Sequence, residues 1–427
     1  MHQPELTQIL RRGQVRYRLP SVSAAVYRDG ETAWAETIGI ADDTGRDATP
    51  ETQYRIGSIT KTFTAAAVLL LREEGSLALD DPIDQYVHDV RFGELTPRRL
   101  LAHSSGLQRE PPGEVWETLE FPKGNELLGR LADAELVLPA GERWHYSNLA
   151  YALLGEIVAR VAGTAFADFV DEQLIRPLGL TRTTWQSVEP AARGYYVDPY
   201  ARTLRPEPAL EGDGVEAVGS LWSTPSDLCE WARHLASIEA MHQVQIMDDP
   251  GAWTLGHGLG LQLVRRGERV FFGHGGAMPG FLAMLLGRCA DGIGAALVTN
   301  ASTPAAAVEE ITGDLVEKAL ELYGAEQDQW RPETEPPPAV AELLGIWWTE
   351  GVPFVFWWEG GRLHARPTEN DKPRAVSIFE SDGVDAFRVA EGRERGELLR
   401  VVRDAEGGIE KLYWATYPVT REPSTFA

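Results

Sequence analysis

The sequence predicts an α+β chain in two parts: a two-lobed domain in which an antiparallel sheet is flanked by helices, then a small antiparallel β-barrel-like domain. Three observations lead there. Strand-like patterns occur early and late in residues 1–327, with a long helical block of about 60–255 between them. A polar, Pro-rich stretch covers 328–338, and residues 339–427 carry short, aromatic-rich alternating segments. Strands at both ends imply one sheet completed by both, with the helical block inserted as a second lobe and a ligand cleft between the lobes.

The elements follow in order. Residues 5–18 read as an amphipathic helix; 21–27, the turn Asp29-Gly30 and 32–40 read as a β-hairpin. Helical patterning runs from Thr60 to about Ala236, broken by loops such as Glu110-Pro111-Pro112-Gly113. Strands are expected at 259–264, 270–272, 281–287 and 293–299, and a helix at 304–323. Beyond the linker, Ile346-Trp347-Trp348, Phe354-Val355-Phe356-Trp357-Trp358 and Tyr413-Trp414 mark short strands. Aromatic core packing is the favoured reading of these residues, over a ligand cup or a lid.

Composition narrows the function. With 427 residues and 43% hydrophobic content the chain can bury substantial cores, and its net charge of −24 disfavours nucleic acid or an anionic membrane as partner. Cys229 and Cys289 make neither a zinc spacing nor a disulfide framework, and read as small buried hydrophobes. The first twenty residues carry four arginines and no apolar signal core, so a cytoplasmic location is expected.

The chemistry centres on Ser58-Ile59-Thr60-Lys61, which opens the apolar run 63–71. Residues three apart share a helix face, so an amine lies one turn from a hydroxyl. Serine is a poor nucleophile until a base takes its proton, and a lysine whose pKa is lowered by burial or a nearby cation can do so. Only five of the 40 basic residues are lysine, and arginine cannot be deprotonated in a protein, so a lysine here reads as chosen for its titratable amine. A capping serine with a solvent-facing lysine is the other reading of the motif alone.

Two further motifs bear on the choice. In Tyr146-Ser147-Asn148 an extended segment would turn Tyr146 and Asn148 toward one cleft, and a phenol beside a lysine ammonium is favoured as a phenolate base; a buried tyrosine capping a turn is the alternative. Gly273-His274-Gly275-Gly276-Ala277-Met278-Pro279-Gly280 reads as a glycine-rich turn at a strand end, where a backbone N–H can meet a developing oxyanion.

With these motifs in this order the chain resembles the penicillin-recognising serine hydrolases: class C β-lactamases, D-alanyl-D-alanine carboxypeptidases, and their esterase and D-aminopeptidase relatives. Leu100-Leu101-Ala102-His103-Ser104-Ser105-Gly106-Leu107 and Gly219-Ser220-Leu221-Trp222-Ser223-Thr224-Pro225 are further matches, and the resemblance spans about 15–323. It implies a β-lactamase/transpeptidase-like fold with Ser58 as acyl-accepting nucleophile, Lys61 as its base, and Tyr146 as a second proton relay. It also implies that Asn148, His274, Gly275 and Gly276 bind substrate and that the N–H groups of Ser58 and Ala277 form the oxyanion hole. Residues 339–427 resemble the β-domain appended to some of these esterases and peptidases.

One departure shapes the expected reaction. Many β-lactamases carry a lysine where this chain has His274; a mostly neutral imidazole attracts a substrate carboxylate less, which favours small esters or amides over β-lactams. The expectation is therefore a serine hydrolase acting on a small ester, amide or short peptide. D-aminopeptidase, D,D-peptidase or β-lactamase activity comes second, and a noncatalytic scaffold is the alternative of another class. No cofactor or metal is expected: His103, His145 and His257 make no ligand pattern and read as structural. The oligomeric state is open.

Overall fold

The computed structural model describes residues 3–88, 90–208, 210, 214–302, 304–324 and 332–423. They form two compact units, Met1–Glu326 and Gln327–Ala427. The linker read at 328–338 begins outside the described residues.

The first unit is organised by an eight-stranded antiparallel sheet. Its strand order is Glu31–Gly39, Ser21–Arg28, Ile293–Thr299, Phe281–Arg288, Arg269–Met278, Gln262–Arg266, Leu255–His257 and Ile246–Met247. Early and late segments of the unit meet as its second and third strands, where Val22 pairs with Thr299 and Arg28 with Ile293. The hairpin turns at Asp29 and Gly30, with φ of 49° and 88°. Two consecutive positive φ values match the right-handed twist of the strands, and an Asp-Gly pair tolerates them.

Alternation along the strands sends side chains to two cores. Val22, Ala24 and Val26 face the helices Pro4–Tyr17 and Ala306–Tyr323, while Ala25 and Tyr27 join the core shared with the helical insert. Gly13 permits close helix packing on the first face, since a Cβ there would lie 2.4 Å from Ile311 Cδ1.

Helix Thr60–Glu73 sits inside the second core and is buried nearly all round. Phe63 stacks on Trp231 with ring centroids 3.7 Å apart, and Trp231 Nε1 donates to Thr62 Oγ1 at 2.7 Å. Trp231 belongs to helix Pro225–Ser237, which packs on the sheet itself. The stretch of about 60–255, read as a helical insert, thus also supplies a sheet-covering helix and the edge strand Ile246–Met247.

Two readings need correction. The glycine-rich segment after Phe272 is a strand: Arg269–Met278 stays paired with Phe281–Arg288 up to Met278–Phe281, and the turn falls at Pro279-Gly280. Its glycines serve close backbone approach, since a Cβ on Gly273 would lie 1.8 Å from Leu285 O. Cys229 is buried as expected, but Cys289 is exposed in the turn following Phe281–Arg288.

The second unit is an eight-stranded antiparallel meander from Gly345–Thr349 to Tyr417–Val419, each strand paired with the next in sequence. Closure comes from Trp348 and Thr420, which exchange backbone hydrogen bonds of 2.7 and 2.9 Å. Trp347, Phe356, Phe379 and Trp414 fill its interior, and Trp347 Nε1 donates to Leu343 O at 2.7 Å. These aromatics form the core, as in small barrels whose lumen is just wide enough for side chains.

Candidate active site

Ser58 lies in the short 3-10 turn Gly57–Ile59 that leads into helix Thr60–Glu73. The turn is pressed against the end of strand Arg269–Met278, and two glycines make this possible. Gly57 has φ of +51°, and a Cβ there would lie 2.6 Å from Ala277 N; one on Gly276 would lie 1.9 Å from Ile56 O. A glycine pair therefore sets how closely the serine turn meets the strand.

One helical turn on, Lys61 is fully buried. Its Nζ lies 3.0 Å from Ser58 Oγ and donates to Val218 O at 2.9 Å. Thr64, on the same face, donates to Ala217 O at 2.7 Å, so the polar stripe of this apolar helix grips the 217–218 backbone. Burial holds the Lys61 amine well below its ordinary pKa; Glu110 opposes the shift and Arg109 adds to it. A shift in this direction favours the unprotonated amine, whose lone pair lies beside a hydroxyl.

Tyr146 approaches from the extended segment ahead of helix Asn148–Ala162, whose N-cap Ser147 accepts from Ala150 N–H at 3.0 Å. The phenol donates to Ser58 Oγ at 2.8 Å. Its ring packs on His103, centroids 4.3 Å apart, with Lys61 Nζ and Arg109 Cζ each 5.0 Å from its own centroid. Burial raises the Tyr146 pKa above its ordinary value, outweighing the hydrogen bond to Ser58 and the nearby Arg109, which act the other way. The shift runs against the phenolate expected from sequence and toward a phenol that donates.

The predicted substrate groups divide. Asn148 and Ala277 line a small cavity against Ser58, together with Glu110, Trp116, Phe121 and Met278. Asn148 Nδ2 donates to Glu110 Oε1 at 2.7 Å, while its Oδ1 is buried without a partner. His274, Gly275 and Gly276, expected to bind substrate, lie outside the wall of this cavity. His274 is buried behind Tyr146, ring centroids 6.4 Å apart, with Nδ1 2.5 Å from Gly275 O. Desolvation first, then Lys61, holds its pKa down to about 3, so the imidazole is neutral. Gly276 faces the Ile56 backbone and Gly275 faces Met284.

Of the other histidines, His103 supports the Tyr146 ring and His257 stacks on Trp144 at 4.5 Å. Among the described residues no group of three His, Cys, Asp or Glu is placed to hold a metal ion.

Several groups at the site were not singled out from sequence. Glu110 was read only as part of a Pro-Gly loop, although a carboxylate beside two prolines is a signal that could have been weighed. The Val218 carbonyl carries no side-chain signal at all.

A family model described as Beta-lactamase matches residues 6–318. The chain belongs to the beta-lactamase family. A second model, a domain of unknown function (DUF7586), matches residues 336–421. Beta-lactamase-like protein 2 of Dictyostelium discoideum is 30% identical over 273 residues, covering 57% of this chain and 50% of that protein. Esterase EstB of Burkholderia gladioli is 35% identical over 218 residues, covering 47% and 54%. The chain thus spans about half the length of these curated relatives. The octameric penicillin-binding protein homologue from Pyrococcus abyssi has the same fold, with a TM-score of 0.66, 24% identity, and coverage of 99% of this chain and 100% of that one.

Proposed function

We propose that this chain is a serine hydrolase that forms an acyl-enzyme on Ser58 and hydrolyses a small ester or amide. The observation that carries the reading is the placement of Ser58 Oγ between a fully buried Lys61 amine at 3.0 Å and the Tyr146 phenol at 2.8 Å. A neutral amine can accept the hydroxyl proton as Oγ attacks an acyl carbon, which is the activation serine needs. The N–H groups of Ser58 and Ala277, two residues of the cavity wall, serve as the donors to the developing oxyanion in this reading. The leaving alkoxide or amide nitrogen takes up a proton from the Lys61–Tyr146 pair and departs. Water then attacks the Ser58 ester, the same groups move its proton, and the acid is released with the serine restored.

The similarity to esterase EstB supports an ester substrate. The cavity at Ser58 is small and mostly apolar, with Trp116, Phe121 and Met278 in its wall, which favours a short acyl group. A second reading, an amide whose substrate carries a free amino group, is favoured by the Glu110 carboxylate in the same wall.

A panel of p-nitrophenyl esters, D-amino-acid p-nitroanilides and nitrocefin separates these readings. The first predicts fastest turnover of acetyl or butyryl esters, and Ser58→Ala should lower it about a thousandfold or more with the fold intact. Unchanged turnover in Ser58→Ala would refute the assignment.

A further inference from the structure

Arg55 precedes the serine turn by two residues and lies in a two-residue strand paired with Trp222–Ser223. It is only 6% exposed. Its guanidinium carbon lies 5.6 Å from the centroid of the Trp222 ring, and its Nε is buried without a hydrogen-bond partner. The side chain lines a cleft of about 1110 Å³, separate from the cavity at Ser58, whose wall includes Trp185, Trp222 and Phe281.

The other charged groups of this cleft are engaged elsewhere. Arg46 pairs with Asp42 at 2.7 Å and Glu189 at 3.2 Å, and Arg193 lies 3.5 Å from Asp43. Glu207 accepts from Ser302 Oγ at 2.8 Å, and Glu216 accepts from Gly214 N–H at 2.6 Å. Among the described residues no carboxylate pairs with Arg55. Burial, its one perturbing influence, lowers its pKa to about 10, so it is a cation at neutral pH.

A buried cation without a counter-ion opposes folding, and a folded chain tolerates it where a ligand supplies the missing charge. We propose that Arg55 anchors a second ligand site, one that takes a singly charged carboxylate borne on an apolar or aromatic body. The guanidinium fork matches the two oxygens of a carboxylate, and Trp185, Trp222 and Phe281 offer flat apolar surface for the body. The acids around the cleft and the chain's net charge of −24 work against a multiply charged anion such as phosphate. This inference is independent of acylation at Ser58.

Benzoate and inorganic phosphate, titrated separately into the full chain by calorimetry at pH 7 and fixed ionic strength, test it. Saturable benzoate binding is expected, accompanied by a rise in melting temperature. Arg55→Met should weaken that binding about tenfold or more, and without ligand should melt above the wild type. Should Arg55→Met fail to fold, Arg55→Lys serves: it keeps the charge, loses the fork, and should still bind benzoate more weakly. Absence of saturable benzoate binding, equal binding in the folded Arg55 variant, or tighter binding of phosphate than of benzoate overturns the proposal.

Discussion

At the scale of single residues, the chemistry rests on charge states set by burial. Lys61 is inside the protein and no carboxylate among the described residues is hydrogen-bonded to it, so desolvation dominates and the amine loses its proton far more readily than a free lysine. Lys61→Arg should therefore be nearly as damaging to ester hydrolysis as removing Ser58, because a guanidinium keeps its proton; full activity in that variant would show that Lys61 acts only through charge. The pH dependence follows with the same sign. As pH falls through the depressed Lys61 pKa the amine is protonated and kcat/KM drops, so activity should level off well below the ordinary lysine range. A rate that climbs steadily to about pH 10.5, the ordinary lysine range, would contradict a buried neutral base. Tyr146→Phe removes the phenolic donor to Ser58 Oγ and should lower kcat about a hundredfold without unfolding the chain. The serine and lysine were legible because i,i+3 spacing on a helix dictates a shared face. The state of Tyr146 was not, since it depends on burial by residues distant in sequence.

At the scale of elements, the site depends on how closely the serine turn can approach the strand Arg269–Met278. Gly276→Ala would place a Cβ 1.9 Å from Ile56 O, a backbone atom that cannot swing away. Overpacking of this kind costs about 1–3 kcal/mol, and the turn it displaces carries Ser58, so kcat should fall along with the denaturation midpoint. Gly275→Ala meets only Met284 Sδ at 3.5 Å and should be close to neutral in stability. Equal effects of the two substitutions would remove the close-approach argument. The hairpin at 21–40 was readable because Asp-Gly is flanked by alternating segments. Strand Arg269–Met278 was misread beyond Phe272 because glycine signals a turn locally, whereas here it answers to Ile56 and Leu285 across the fold.

At the scale of the whole molecule, the sheet completed by both ends of the first unit was legible from strand-like patterns at 21–40 and 281–299. Which face of a strand meets which layer was not, because both faces are buried and the pattern loses its polar alternation. The same dense burial predicts acid sensitivity. His274 and His257 are held down to about 3 and about 4, both through burial, and His103 is also lowered. Between pH 6.5 and those values the unfolded chain binds protons that the folded chain refuses. Their contribution is therefore complete above about pH 6.5 and declines as pH falls, by on the order of 3 kcal/mol for each of His257 and His274 at pH 4. Urea midpoints measured at pH 7, 5.5 and 4 should decrease in that order, and a midpoint independent of pH would show that these rings are solvated.

Intact mass of the wild-type protein and of Ser58→Ala after incubation with a fluorophosphonate, followed by peptide mapping, bears most directly on Ser58 as the nucleophile. One adduct on Ser58, absent from the variant, is the predicted result. An unlabelled wild type under conditions that label a related esterase, or the same adduct in Ser58→Ala, would contradict it.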